Sequence, residues 1–360
     1  VTAVSGIKDV VTSSQFETFL PSLLRQQEGQ KKLRDGKLTV WMILENRSLA
    51  GAPSAELAYI EQLRSRYPEL QFRDAFPLLA EMRLAKSPAE IAIVQKAIDV
   101  TVAAQAAAMR RVLTATHEYQ VQATIEYTFR ELGACCWAFP SIAASGRNAT
   151  TLHYQTNNDV VVPGGLVLTD IGAEVDGYSA DVTRTYPQDG TFNPEQKAIY
   201  SAVLRAQSET IPLMRPGTSM RDVQAKATTI LGEELLKLGL VTKNEPDQVR
   251  MYFRHGLGHQ LGLRTHDVGD YRGNLLRAGM IVTNEPGLYV RAADVKANPA
   301  YLALTADERA GIDAALVKYA DIGVRIEDDI LVTAGEPRNL SVGSPRTVEA
   351  IEAFMAAATK

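Results

Sequence analysis

Apolar positions along this chain recur with two periods, and the switch between them marks out its elements. A helical period begins at Ser87: the tetrapeptide Ser87, Pro88, Ala89, Glu90 offers a capping hydroxyl, a proline at the first helical position and a glutamate three residues after the cap. Ile91, Val94, Ile98 and Val102 then share one face. Asn193 to Gln196 and Ser219 to Asp222 open two further helices by similar chemistry, and Gly133 and the pair Pro216-Gly217 read as stops. Between these helices lie short aliphatic and β-branched runs of the strand kind: 165–172 (GLVLTDIG), 178–185 (YSADVTRT), 280–289 (MIVTNEPGLY) and 322–332 (IGVRIEDDILV). Helices alternating with antiparallel strands predict an α+β layer. Residues 1–85 mix polar helix-like stretches with one apolar run, TVWMIL at 39–44, and predict a smaller α/β domain that carries no motif. The larger domain is expected over residues 86–360.

The strand-like runs are interrupted by charge. Asp170, Asp181, Glu285 and Glu327 each sit in an otherwise apolar segment, and His259 closes the run RHGLGH. An unpaired carboxylate in such a place costs several kcal/mol of desolvation. Taken singly, Asp170 or Glu285 reads as a satisfied polar residue at a strand end, and Arg325 as the same-face ion-pair partner of Glu327. The Asp176-Gly177 turn signal, however, predicts a hairpin that brings Asp170 and Asp181 together on one sheet face. Two adjacent carboxylates repel unless a cation lies between them. The five residues therefore read as hard-metal ligands.

The motifs that carry them, DIGAEVDGYSADVTRTYP, HGLGHQLGLRTHD, NEPGLY and RIEDD, resemble the Xaa-Pro peptidases. These are the prolidase and Xaa-Pro aminopeptidase branch of the superfamily that also holds methionine aminopeptidase and creatinase. The resemblance runs from about residue 88 to the C-terminus and includes the closing SPRTVEAIEAF. It implies a pita-bread catalytic domain and two divalent cations per chain. Asp181 and Glu327 look like bridging ligands, Asp170 a ligand of one ion, and His259 with Glu285 ligands of the other. Four carboxylates and one imidazole without a thiolate suit Mn(II), accommodate Co(II) or Zn(II), and disfavour Cu(I). Paired ions lower the pKa of a shared water, and Glu285 is expected to relay its proton to the leaving proline nitrogen.

Other residues acquire expected roles from the same resemblance. Of the five histidines, only His117 falls outside the motifs. His153 and His266 are placed beside the substrate carbonyl and proline ring as oxyanion stabilisers, and His255 at the substrate's carboxylate end. Arg325 is expected to orient the bridging carboxylates through a bidentate contact. Phe139 stands where some prolidases carry tyrosine, and is an apolar wall for the proline ring; Tyr178, Tyr252 and Tyr289 are alternative sources of a hydroxyl. Arg264 and Arg272 are candidate clamps for a free carboxylate. The insertion 291–319 and the closing segment look more like prolidase, so the expected activity is Xaa-Pro dipeptidase, with Xaa-Pro aminopeptidase second. Pita-bread proteins that only bind partners, or hydrolyse creatine without metal, are expected to have lost ligands that this chain keeps.

Composition alters this picture little. A formal net charge of -4 with no basic block argues against a nucleic-acid surface, and no run of about eighteen apolar residues suggests a membrane span. The expected partners are small peptides with proline second, without nucleic acid or membrane, and the expected assembly is a homodimer. The two cysteines, Cys135 and Cys136, are adjacent and poorly placed for an ordinary disulfide, which favours a reducing cytoplasm. The chain begins at Val1 without an initiator methionine, and residues 1–85 look short beside the N-terminal domain of related enzymes, so a trimmed or incomplete start is expected.

Overall fold

The computed structural model describes residues 12–44, 52–269 and 275–358. The chain divides into two compact units, Val1–Met82 and Arg83–Lys360. In the first, helices α1 (Ser13–Arg25) and α2 (Gln27–Arg34) precede a parallel pair, β1 (Thr39–Met42) and β2 (Gln71–Asp74), joined through α3 (Ala55–Arg66). Leu24, Leu63 and Leu70 form its small core. The predicted strand at 39–44 thus forms within an α/β unit. Helix α4 (Phe76–Leu84) comes next.

The second unit opens with α5 (Pro88–Arg111), where Ser87 Oγ accepts from the Glu90 amide at 3.4 Å and Glu90 Oε2 accepts from the Ser87 amide at 2.8 Å. Both halves of the predicted capping box are made. By length and composition α5 could cross a bilayer. Here Val94, Ala97, Ile98, Ala104, Ala108 and Met109 are buried within the unit, so its apolarity belongs to the core. It packs against α6 (Glu118–Glu131), which ends at Leu132 and Gly133 as predicted.

Beyond α6 come β3 (Cys136–Trp137), β4 (Ile142–Ser145), β5 (Leu166–Ile171), β6 (Ala173–Val175), β7 (Tyr178–Ser179) and β8 (Val182–Pro187). The order β4-β5-β8 forms one antiparallel sheet and β3-β6-β7 another. Asp176 and Gly177, both at positive φ (49° and 80°), close the hairpin between β6 and β7. Every residue of β5 and β8 is buried, the polar Thr169, Asp170, Thr183, Arg184 and Thr185 included. Helices α7 (Pro194–Thr210), α8 (Met220–Lys237) and α9 (Pro246–Val249) are next, and Asn193 and Ser219 cap α7 and α8 as the sequence predicts. Then come β9 (Ile281–Asn284) and β10 (Gly287–Tyr289). The expected insertion folds as three helices, α10 (Ala292–Ala297), α11 (Pro299–Leu302) and α12 (Ala306–Lys318). Strands β11 (Gly323–Arg325), β12 (Asp328–Leu331) and β13 (Arg338–Asn339) and helix α13 (Val348–Ala358) complete the unit. Strand β12 lies between β9 and β13, and β10 pairs with β11. One core gathers Ile171, Tyr186, Tyr200, Val203, Val324 and Ile330, each large side chain contributing about 1.5–3 kcal/mol by leaving water.

Candidate active site

Strand pairing brings the five expected ligands to one place. Asp170 on β5 lies opposite Thr183 on β8, so Asp181, two residues before Thr183, points to the same face of the sheet. Glu327 joins from the turn between β11 and β12, its amide donating to the Thr183 carbonyl at 3.1 Å while Thr183 Oγ1 donates to Glu327 Oε2 at 2.7 Å. His259 and Glu285 are tied together by Thr283 on β9, whose hydroxyl accepts from the His259 amide at 3.1 Å and donates to Glu285 Oε1 at 3.4 Å. His259 Nε2 ends 3.4 Å from Asp181 Oδ2 and 3.6 Å from Glu285 Oε1. Its Nδ1 lies 3.1 Å from the Gln260 carbonyl, which can only accept, so Nδ1 donates there and Nε2 is the nitrogen turned toward the carboxylates.

The electrostatics of this cluster call for a cation. Asp170, Asp181, His259 and Glu327 are buried, and Asp170 Oδ1 and Asp181 Oδ1 have no hydrogen-bond partner. Burial, and then the neighbouring Asp170 charge, raise the Asp181 carboxyl well above its usual range. Glu327 is raised by burial and then by Asp181, and Glu285 by burial against the opposing pull of His259 and Arg325. The ligand atoms of Asp181, His259 and Glu327 lie within 4.8 Å of one another. Orphaned oxygens, mutual repulsion and an imidazole nitrogen turned in among the carboxylates together fit divalent metal ions.

Arg325 makes no bidentate contact with Asp181 or Glu327, contrary to expectation. Its guanidinium hydrogen bonds go elsewhere than Asp181 and Glu327; Nη2 pairs with Asp170 Oδ2 at 2.6 Å, Nη1 donates to the Tyr289 hydroxyl at 2.7 Å and Nε to Thr183 Oγ1 at 3.3 Å. The period of the strand is the reason: Arg325 ends β11, and its partners lie across on β5, β10 and β8. His255 also departs from expectation. Its Nδ1 meets the Gly256 carbonyl at 2.8 Å and its Nε2 the Tyr289 hydroxyl at 2.7 Å, so both nitrogens are engaged within the protein. Burial first, and then Arg325, push its pKa down to about 3. A neutral, fully engaged imidazole is a poor clamp for a substrate carboxylate. Among the three tyrosines considered, Tyr289 is the one at the site: Tyr178 bonds Glu90 and Tyr252 the Leu240 carbonyl.

A cavity of ≈ 580 Å³ opens onto the cluster. Phe139, His153, Arg264 and His266 all line it, and His153, Arg264 and His266 are exposed. The His266 ring lies 4.2 Å from that of His259, and burial and then His259 lower its pKa. Arg272 lies outside the described residues. The residues that sequence reasoning passed over obey the two-residue period of the strands: Thr183 beside Asp181, Thr283 beside Glu285. The opposite face holds Arg184, fully buried, whose Nη2 pairs with Asp328 Oδ1 at 2.7 Å and whose Nη1 donates to the Glu327 carbonyl at 2.6 Å. That buried pair fixes the backbone that presents Glu327.

Comparison with known proteins agrees with this geometry. The model of metallopeptidase family M24 matches residues 92–334. The Xaa-Pro aminopeptidase of Escherichia coli (strain K12) is 38% identical over 293 residues, covering 79% of this chain and 62% of that protein. Human Xaa-Pro aminopeptidase 3 is 31% identical over 355 residues, covering 97% of this chain and 64% of its own length. The chain thus spans less than two thirds of the length of these relatives. Among solved structures, aminopeptidase P from Escherichia coli with the inhibitor Pro-Leu superposes with a TM-score of 0.82 at 33% identity, covering 100% of this chain and 77% of that one. With its α+β pita-bread fold and its buried carboxylate and imidazole cluster, the chain belongs to metallopeptidase family M24.

Proposed function

We propose that this protein is a dinuclear metallopeptidase that removes the N-terminal residue from peptides with proline in second place, an Xaa-Pro aminopeptidase. The observation that carries the reading is the set Asp170, Asp181, His259, Glu285 and Glu327, with orphaned oxygens, lining a peptide-sized cavity. The names of the relatives favour aminopeptidase over the dipeptidase that the insertion suggested. Pro-Leu, the inhibitor in the Escherichia coli structure, is proline with one residue after it, the part of a longer peptide that such a cleavage would release.

When bound, two divalent ions held by these five residues polarise the peptide carbonyl and make a water acidic enough to attack near neutral pH. The donor set suits Mn(II), with Co(II) and Zn(II) also accommodated. Glu285, on the cavity wall beside His259, would take the proton from the nucleophile and give it to the proline nitrogen. His153 and His266 present imidazole N–H groups from the cavity wall to the carbonyl oxygen. Phe139 walls the proline ring, whose nitrogen carries no hydrogen in the peptide and so leaves no donor unsatisfied against an apolar surface.

Chelation tests the core of the proposal. The stripped protein is expected to lose hydrolysis of Ala-Pro-Ala and to recover it with Mn(II), with close to two ions bound per chain by elemental analysis. Full activity after rigorous stripping would falsify the metallopeptidase reading.

A further inference from the structure

The chain's two cysteines stand together away from the carboxylate cluster, at the start of β3. Cys135 Sγ lies 3.0 Å from Cys136 Sγ and 3.4 Å from Glu174 Oε1 on β6. Ligand atoms of all three residues fall within 4.8 Å of one another. The arrangement is built by the backbone: Cys136 is the antiparallel partner of Glu174, the Cys135 amide donates to the Glu174 carbonyl at 3.1 Å, and Arg130 braces the turn by donating to the carbonyls of Ala134 and Cys135. Cys135 is exposed and Cys136 half-buried, so a hydrated ion can reach both sulfurs.

We propose that Cys135, Cys136 and Glu174 form a second metal site, selective for a thiophilic d10 divalent ion such as Zn(II) or Cd(II). Two sulfurs and one carboxylate supply three ligands of a tetrahedral set and leave the fourth position to water. The oxygen-rich cluster of the peptidase site prefers harder ions, so the two sites sort metals by softness. An oxidative role fits the pair less well. Adjacent cysteines are poorly placed for a disulfide. Ion binding needs no electron acceptor: two sulfur–hydrogen bonds break, two metal–sulfur bonds form and both protons pass to solvent. Glu174 also lines the peptidase cavity, so an ion held here draws on a residue of the cavity wall.

The test is titration of the full chain with Cd(II) in saturating Mn(II), read by the ultraviolet charge-transfer absorption of cadmium thiolate. Carboxylates and imidazole cannot give that band, so the readout is independent of the peptidase site and of the activity proposed for it. It is expected to saturate at one Cd(II) per chain. Cys135→Ser and Cys136→Ser each break the chelate and should weaken binding by about a hundredfold or more, and Glu174→Gln by about tenfold. Far-ultraviolet circular dichroism on the near-isosteric serine variants separates loss of the site from loss of the fold. Saturation at half an equivalent, which means an ion bridging two chains, overturns the proposal. So does either serine variant that binds Cd(II) as tightly as the parent.

Discussion

At Tyr289 a single hydroxyl joins two parts of the site. It accepts from Arg325 Nη1, and because His255 Nδ1 already gives its proton to the Gly256 carbonyl, the tyrosine must donate to His255 Nε2. Arg325 in turn holds Asp170, so the relay fixes a carboxylate through a guanidinium, a phenol and an imidazole. Tyr289→Phe removes the link but keeps the ring. Loss of one hydrogen bond to a charged group is worth about 1.5–3 kcal/mol, and kcat/KM on Ala-Pro-Ala should fall by about ten- to a hundredfold with the metal content unchanged. A rate within twofold of the parent would show the relay to be idle. The carboxylates carry a second residue-scale consequence. Asp181, Glu285 and Glu327 all have raised folded-state pKa values, chiefly through burial. In the metal-free protein they bind protons that the unfolded chain has already released. The stability they contribute is therefore complete below the usual carboxylate values, 3.8 for Asp and 4.5 for Glu, and is lost as pH rises through the folded values. Chelated protein should show a Tm contribution that declines from acid toward neutral pH, and bound metal should remove the decline. Glu327→Gln is expected to flatten it in the chelated state while abolishing turnover, and a chelated variant with the parent's slope would count against this origin.

Strand alternation explains at the level of elements why the site was partly legible in the sequence. The ligands stood out because charge interrupts apolar runs, and the β6–β7 hairpin because Asp176-Gly177 is a turn signal with the required positive φ. Thr183, Thr283 and the pair Arg184–Asp328 were hidden because a threonine or a buried ion pair in a strand looks like ordinary sheet chemistry until the register is known. Register also decided Arg325, whose partner proved to be Asp170, 155 positions away in sequence, rather than Asp181 or Glu327. The helices of the insertion went unpredicted, although Asn298-Pro299 and the Thr305 and Glu308 capping box are signals of the same kind as those at Ser87. Gly258 shows how closely the elements meet. A Cβ there would overlap the carbonyl oxygen of Thr283, the residue whose amide donates to the His259 carbonyl at 2.9 Å. Gly258→Ala should push His259 off β9, costing about 1–3 kcal/mol of stability and weakening metal retention. Parent-like Tm and metal content would mean that the segment yields without strain.

On the scale of the whole molecule, the charge lining the cavity bears on which group the proposed peptidase would accept beyond the proline. A dipeptide places a free carboxylate immediately beyond the ring, in a cavity already lined by Asp170, Glu174, Asp181, Glu285 and Glu327. Cations among the described lining residues are few: Arg325 is held by Asp170, His255 is neutral with both nitrogens engaged, and Arg264 lies exposed on the wall. A longer peptide replaces that carboxylate by a neutral amide and carries its own charge away from the acidic floor. Bound ions offset part of the repulsion, but they do so for both substrates. The proposed aminopeptidase should therefore hydrolyse Ala-Pro-Ala with a kcat/KM at least about tenfold above that for Ala-Pro, equivalent to about 1.4 kcal/mol. Ala-Pro-amide, which removes the charge without adding length, should recover most of the difference. If Ala-Pro is instead the better substrate and its amide the worse, a cation must meet the proline carboxylate, and Arg264→Ala would then have to erase the preference, restoring the dipeptidase reading.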